Sequence, residues 1–257
     1  MKKINITITG ALGRMGKILI KQISKNKNLK LFSLTDLNSG KTINGIKIQK
    51  NNLEAFKKTD VIIDFSKPKA SLEILNYAKK LKKKVVIGTT GFNNKQNNLI
   101  KNYSKKIAIF KSGNMSLGIN LLEHIVKIFS KKIPNNYYIG INDDHHSKKV
   151  DYPSGTALML ANAVSKGKNK NLKSIKGKMF LNKKGNLQKN KINFFITRKG
   201  NTIGKHSVLF NNKIENIELK HIAFSREIFA DGALNAAIWV SKKNKGLFNM
   251  QDMFSFK

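Results

Sequence analysis

The stretch from Ile4 to Asp36 limits most tightly what this chain can fold into. A short β-branched run over residues 4–9 is cut off by Gly10-Ala11-Leu12-Gly13-Arg14-Met15-Gly16. Met15, Ile18, Leu19 and Ile23 then recur at helical spacing to about Asn26, and Leu29 to Leu34 reads as a second strand closed by Asp36. In a strand–turn–helix–strand unit the first glycine allows the tight turn, the second lets backbone approach a pyrophosphate, and the third permits close helix–strand packing. Asp36, twenty residues after Gly16, is placed to accept hydrogen bonds from ribose hydroxyls. A glycine triplet alone also serves as plain helix capping; the full unit around it points to a dinucleotide. Leu37 stands where an arginine would hold a 2′-phosphate, with Lys41 as a possible substitute. The expected cofactor is therefore NADH and/or NADPH, with the local signal toward NADH or dual use.

The alternation continues. A buried strand over 60–66 runs into Lys67-Pro68, and residues 71–83 are helical by spacing. Val85 to Gly88 opens into Thr89-Thr90-Gly91-Phe92, and Ile107 to Phe110 ends in Ser112-Gly113-Asn114-Met115. Parallel sheets bind ligands outside the carboxyl ends of their strands, where these loops lie. Beyond them come a helix over 116–130, a strand over 137–141, and a lysine-, glycine- and asparagine-rich span from 167 to 193 that reads as a loop with one or two short strands. Strands over 192–197, 206–210 and 215–221 suggest an antiparallel or mixed sheet. A helix over 229–240, opened by Asp231-Gly232, closes the reading.

Between the strand at 137–141 and the next helix lies His145-His146-Ser147-Lys148-Lys149-Val150-Asp151-Tyr152-Pro153-Ser154-Gly155-Thr156-Ala157-Leu158. Pro153 disfavours the α conformation at Tyr152, so no helix runs through from the left. Ser154 is a good N-cap for a helix whose stripe is Ala157, Leu158, Leu160, Ala161 and Val164. Amides around Gly155 and Thr156 then stand at the positive end of a helix dipole. Two imidazoles, two amines and a helix N-terminus suit a small substrate carrying carboxylates. Fully extended, residues 145–149 would hold His145 and Lys149 roughly 13 Å apart, too far to share a small ring, so the chain is expected to bend there.

Charge invites a different reading. Fifty lysines and arginines against fourteen acids give +36. Yet only Arg14, Arg198 and Arg226 are arginines, and the lysines are spread along the whole chain with abundant asparagine and isoleucine, a pattern of base composition. Arginine forks, which dominate base reading, are nearly missing, so no specific nucleic-acid partner is expected. A general attraction for anionic cofactors and substrates follows. No run of 18 apolar residues occurs, so no membrane span is expected. There is no cysteine, which excludes disulfide and thiolate chemistry. With a start that reads straight into a strand, without an apolar leader, this makes a cytoplasmic location the default expectation.

The motifs together are distinctive. GALGRMG at 10–16, DFSKP at 64–68, GTTGF at 88–92, GNMSLGIN at 113–120, HHSKKVDYPSGTAL at 145–158, IGKHSVLF at 203–210 and FSREIFADGAL at 224–234 stand in one order over nearly the whole chain. In this the chain resembles the 4-hydroxy-tetrahydrodipicolinate (dihydrodipicolinate) reductase family of the lysine and diaminopimelate pathway. The resemblance implies an α/β fold: a Rossmann-type parallel-sheet nucleotide domain plus a central mixed-sheet α/β domain for substrate and oligomerisation. It sets the domains at 1–116, 117–224 and 225–257, the last segment returning to the first domain. It implies His145 as the catalytic proton donor/acceptor and Lys149 as the catalytic proton donor, and His146, Gly155 and Thr156 as substrate-binding. It implies Gly10, Ala11, Leu12, Gly13, Arg14, Met15, Asp36, Gly88, Thr89, Thr90, Ser112, Gly113, Asn114 and Met115 as nucleotide-contacting. No metal is expected. The partners it implies are a small dicarboxylate substrate and further copies of the chain, as a homotetramer.

Two positions depart from the family pattern. Lys205 stands where a glutamate is usual, and Asp143 is a shorter acid two positions before the histidine pair. Two other readings remain: a different Rossmann reductase acting on an amino acid or semialdehyde, against which the 145–156 motif argues, and a non-enzymatic basic scaffold.

Overall fold

The computed structural model describes residues 2–255. By internal packing the chain divides into two units: one runs to Ser116 and resumes at Arg226, and the other is Leu117–Ser225.

In the first unit, β1 (Ile4–Thr9), α1 (Arg14–Ser24) and β2 (Leu29–Thr35) lead the chain. They are followed by β3 (Thr42–Ile43), β4 (Ile46–Gln49), α2 (Leu53–Lys57), β5 (Val61–Asp64), α3 (Pro68–Lys80), β6 (Lys84–Ile87), α4 (Asn94–Ser104) and β7 (Ala108–Lys111). The strands form one sheet in the order β13-β7-β6-β5-β1-β2-β4-β3, where β13 (Gly246–Phe248) comes from the returning segment. All pairs except β3–β4 are parallel. A parallel sheet must be covered on both faces, which is why β5 reads Val-Ile-Ile-Asp and is buried throughout. One face packs against α2, α3 and α4 around Phe56, Ile62, Leu75, Val85 and Ile109. On the other lie α1 and α8 (Glu227–Ser241), which pack on each other. Each fully buried aliphatic side chain there contributes about 1.5–3 kcal/mol.

The second unit contains α5 (Leu117–Lys132), β8 (Tyr138–His145), α6 (Gly155–Gly167), α7 (Leu172–Ile175), β9 (Lys176–Leu181), β10 (Ile192–Arg198), β11 (Gly204–Asn211) and β12 (Asn216–Ala223). Its sheet is mixed, in the order β12-β11-β8-β10-β9, with β8, β9 and β10 parallel and β11 antiparallel to both its neighbours. Helices α5 and α6 cover one face through Ile119, Val126, Leu160, Val164, Phe194 and Phe210. On the other face Phe180 stacks on Phe195, and a shallow groove of about 680 Å³ runs between Asn142, Phe195, Leu209 and Lys183. After α8 and β13 the chain ends in α9 (Met250–Phe254).

Several elements differ from the sequence reading. Helix α3 starts at Pro68, three residues early, because proline fits the first helical position, and it ends before Lys82, whose φ is 52°. Strand β8 extends to His145, since β11 pairs with it as far as Asp144 and β10 as far as His145. Within 167–193 a short helix capped by Asn171 and the strand β9 form, the latter held by pairing with β10. Asp231-Gly232 does not open α8 but lies within it. A Cβ at Gly232 would stand 1.7 Å from the Met115 carbonyl oxygen, so that glycine is a packing residue in the guise of a turn residue. Strands β3, β4 and β13 and helices α2, α4 and α9 were not read from the sequence; most are short.

Gly232→Ala is expected to cost about 1–3 kcal/mol or more, as overpacking does. Urea unfolding checks this as a lowered midpoint at unchanged slope.

Candidate active site

In the first unit, Gly10 sits at φ 70°, and a Cβ there would meet the Phe65 carbonyl oxygen at 2.8 Å. A Cβ at Gly16 would fall 2.3 Å from the Gly10 carbonyl oxygen, so the helix can seat against the turn only with glycine there. The Ala11 amide donates to the Thr35 carbonyl (3.1 Å), fixing the turn to β2. Asp36 accepts from the Leu12 amide (2.9 Å) and the Asn38 amide (3.2 Å), leaving lone pairs on both oxygens. A groove of about 600 Å³ runs along this turn, lined by Gly10, Leu12, Gly13, Asp36, Leu37 and Lys67 among others. Arg14 is exposed at the start of α1, and Ala11 is fully buried. A narrow backbone cradle, a helix N-terminus without acidic residues and a free-edged carboxylate fit the diphosphate and ribose of a dinucleotide.

The other nucleotide candidates are placed unequally. Thr90 and Gly113 are exposed, while Gly88, Ser112 and Asn114 are half-buried. The Ser112 hydroxyl donates to the Asn114 carbonyl at 2.7 Å and so shapes its own loop. The hydroxyl of Thr89 turns inward to the buried carboxylate of Asp64 (3.0 Å), and Met115 is 2% exposed. Those two offer a ligand their backbone and not their side chains.

In the second unit the site is built around Asp143, which β8 carries inward and which is fully buried. Its Oδ2 accepts from the Ser154 amide (2.8 Å) and from the Arg198 guanidinium (3.0 Å). Its Oδ1 lies 3.1 Å from Nδ1 of His145 and 3.2 Å from Nε2 of His206, close but off the axis of a good hydrogen bond. Burial pushes the Asp143 carboxyl up, but the contacts with His145, His206 and Ser154 override it and hold it well below the usual carboxylate range. Arg198 also donates to the Asp143 and Asp151 carbonyls (2.7 and 2.9 Å), clamping both ends of the segment.

The Ser154 hydroxyl caps α6 by accepting from the Ala157 amide (3.1 Å) and lies 3.2 Å from His206 Nε2. The imidazoles of His145 and His206 meet edge to face, centroids 4.9 Å apart. A Cβ at Gly204 would lie 3.3 Å from His206 Cε1 and 3.4 Å from His145 Nε2, so this glycine gives both rings their room.

The chain does bend after His145. The Lys149 amide donates to the His146 carbonyl (3.1 Å), and the amides of His146 and Ser147 bond to Thr202 and Gly200. The Lys149 amine stands 2.8 and 2.9 Å from the two oxygens of Asp151. His146 is half-buried, while Gly155 is exposed and Thr156 half-buried at the start of α6. The peptide between Tyr152 and Pro153 is cis. Lys205, the departure from pattern, is paired across the sheet with Asp144 (3.7 Å).

Asp143, His145 and His206 bring ligand-type atoms within 4.8 Å of one another. Arg198 already supplies positive charge to that carboxylate, so a metal ion would be a second cation on one anion. The trio reads better as a device for holding imidazoles. Sequence reasoning missed Arg198 and His206; the signal for Arg198 was its rarity, one of three arginines in the chain.

A doubly wound sheet with a dinucleotide cradle, joined to a unit presenting imidazole, amine and helix N-terminus, defines a pyridine-nucleotide-dependent reductase. Family models described as dihydrodipicolinate reductase, N-terminus, and dihydrodipicolinate reductase, C-terminus, match residues 4–115 and 118–254. The chain belongs to the dihydrodipicolinate reductase family. It is 53% identical to the 4-hydroxy-tetrahydrodipicolinate reductase of Pelagibacter ubique, with all of both chains covered. To that of Buchnera aphidicola subsp. Cinara cedri it is 48% identical, covering 98% of this chain and 97% of the other. Among solved structures, a dipicolinate-bound dihydrodipicolinate reductase from Paenisporosarcina sp. TG-14 shares the fold at a TM-score of 0.78 and 22% identity, covering 98% and 99% of the two chains.

Burial lowers the pKa of His206 despite the opposing pull of Asp143. The unfolded chain then binds a proton that the folded chain refuses, so this contribution is complete above pH ~6.5 and is lost as pH falls below it. Asp143, also lowered, adds a second loss only below pH ~4. Urea midpoints of His206→Gln should therefore decline less between pH 7 and pH 5 than those of the parent chain.

Proposed function

We propose that this chain reduces 4-hydroxy-tetrahydrodipicolinate to tetrahydrodipicolinate, with loss of the 4-hydroxyl as water, using His145 and Lys149 as its acids. Gly10, Ala11, Leu12, Gly13, Arg14, Met15, Asp36, the loop Gly88-Thr89-Thr90 and the loop from Ser112 to Met115 hold the nucleotide. When bound, that nucleotide supplies a hydride. Addition to a conjugated C=C–C=N ring leaves negative charge on the heterocycle, and an acid must neutralise it. His145 is held by Asp143 on its Nδ1 side, which leaves Nε2 as the nitrogen to offer a proton. Lys149, ion-paired with Asp151, meets one substrate carboxylate and serves as the second proton donor. The α6 amides of Gly155 and Thr156, with His146, receive the other carboxylate.

The observation that carries this reading is Ser154. One residue caps α6 and donates its amide to Asp143, whose other oxygen lies 3.1 Å from His145, so the anion-binding helix end and the proton-donating imidazole are fastened to one carboxylate. The dipicolinate held by the Paenisporosarcina enzyme is a planar dicarboxylate of the kind such a site would take.

We assign NADH as the better of the two nucleotides. A 2′-phosphate would be pressed against the Asp36 carboxylate, and Leu37, 77% exposed beside it, offers no compensating charge. Homotetramer formation rests on the sheet face that α5 and α6 leave uncovered, where Phe180, Phe195 and Leu209 gather. Among the described residues no helix is long and apolar enough to cross a membrane. The lack of cysteine suits a reducing compartment, and a cytoplasmic location is part of this reading.

The direct test is NADH oxidation with the freshly made condensation product of aspartate semialdehyde and pyruvate. No turnover with that product would end the reading. Lys149→Ala should lower kcat about 100-fold or more, in the range of a lost general acid, with NADH affinity unchanged. Weakened NADH binding instead would show that Lys149 belongs to the nucleotide. Asp36→Ala should weaken NADH about tenfold, the size of a lost charged hydrogen bond, while NADPH holds or improves. Ratios of kcat/KM for the two nucleotides read this out.

A further inference from the structure

No role above falls to Asp64 of the DFSKP motif, yet its carboxylate accepts five hydrogen bonds. Asp64 ends β5 and is fully buried. Its Oδ1 accepts from the Thr9 hydroxyl (2.7 Å), the Ser66 amide (3.1 Å) and the Ser66 hydroxyl (2.5 Å). Its Oδ2 accepts from the hydroxyls of Thr89 (3.0 Å) and Ser71. All these donors are neutral. A buried carboxylate costs several kcal/mol unless its lone pairs are met, so this anion holds its donors firmly in place.

Those donors come from the carboxyl ends of three adjacent strands. Thr9 precedes the Gly10 turn, Ser66 and Ser71 flank the start of α3, and Thr89 lies in the loop after β6. Phe65, next to Asp64, completes the joint. Its carbonyl oxygen would lie 2.8 Å from a Cβ on Gly10, and its ring 2.2 Å from a Cβ on Gly88. The Ser66 amide also donates to the Thr89 hydroxyl (3.0 Å).

We infer that Asp64 is a positioning residue for the nucleotide: its charge registers the Gly10 turn, the Phe65–Ser66 segment and the Thr89 loop against one another, and so sets the shape of the groove that binds the cofactor. This rests on the reading that the first unit holds the nucleotide.

In Asp64→Asn the amide keeps the volume, and the hydroxyls of Ser71 and Thr89 can rotate to accept from it, but the anion that fastens the loops is gone. NADH titration followed by nicotinamide fluorescence, well below the unfolding temperature, should show affinity falling about tenfold, a loss of about 1.4 kcal/mol. Dipicolinate affinity, a property of the second unit, should stay within twofold. Ser71→Ala, which removes one donor and leaves the carboxylate, should weaken NADH two- to threefold and decides the matter if Asp64→Asn does not fold. A purely structural role predicts a lower unfolding midpoint with NADH affinity unchanged in the folded variant. That result overturns the inference. Failure of the parent chain to bind NADH or NADPH would instead overturn the underlying reading.

Discussion

The site of the second unit depends on one carboxylate kept charged inside the protein. Asp143 points from β8 into the face covered by α6, where an ion without partners would be untenable. Arg198 and the Ser154 amide satisfy one oxygen, and two imidazoles flank the other. Removing any of these partners leaves charge buried, so the strand end, the arginine, the helix cap and the histidines are bound into one arrangement. The fold thereby converts the cost of burying a charge into fixed positions for these side chains.

The first unit uses the same device with different partners. Asp64 is also a strand-end carboxylate and also fully buried, but it is met by hydroxyls and one amide with no cation. The difference suits the tasks. On the proposed function a nucleotide cradle presents backbone to a diphosphate, which a neutral and compact scaffold permits. On the same proposal the second unit holds acids ready, and its scaffold brings charge. The lysines that give the chain its +36 are spread over the surface and act at longer range, as attraction for anions.

The glycine turn, Asp36 and the βα alternation were legible because each expresses local geometry: a positive φ, a missing Cβ, an apolar period. Ser154 was legible as a cap for the same reason. The partners of Asp143 were not, since Arg198 and His206 lie 55 and 63 positions further along and reach it only through the pairing of β10 and β11 with β8. Gly232 misled because a glycine needed for close packing against Met115 looks, in sequence, like one needed for a turn. The span 167–193 was hard to read because β9 owes its existence to β10 and not to its own residues, four of six being lysine, glycine or methionine. Long-range pairing leaves little trace in local sequence.

If Asp143 holds His145 ready as an acid, the charge on its carboxylate matters as much as its shape. Asp143→Asn keeps the shape of the side chain and removes the charge that faces both imidazoles. Steady-state NADH oxidation by this variant, beside NADH and dipicolinate titrations, measures the consequence. The expected kcat is lower by about 100-fold or more, the scale of a misplaced general acid, with both ligands bound within a few-fold of the parent chain. A kcat close to that of the parent chain would contradict it.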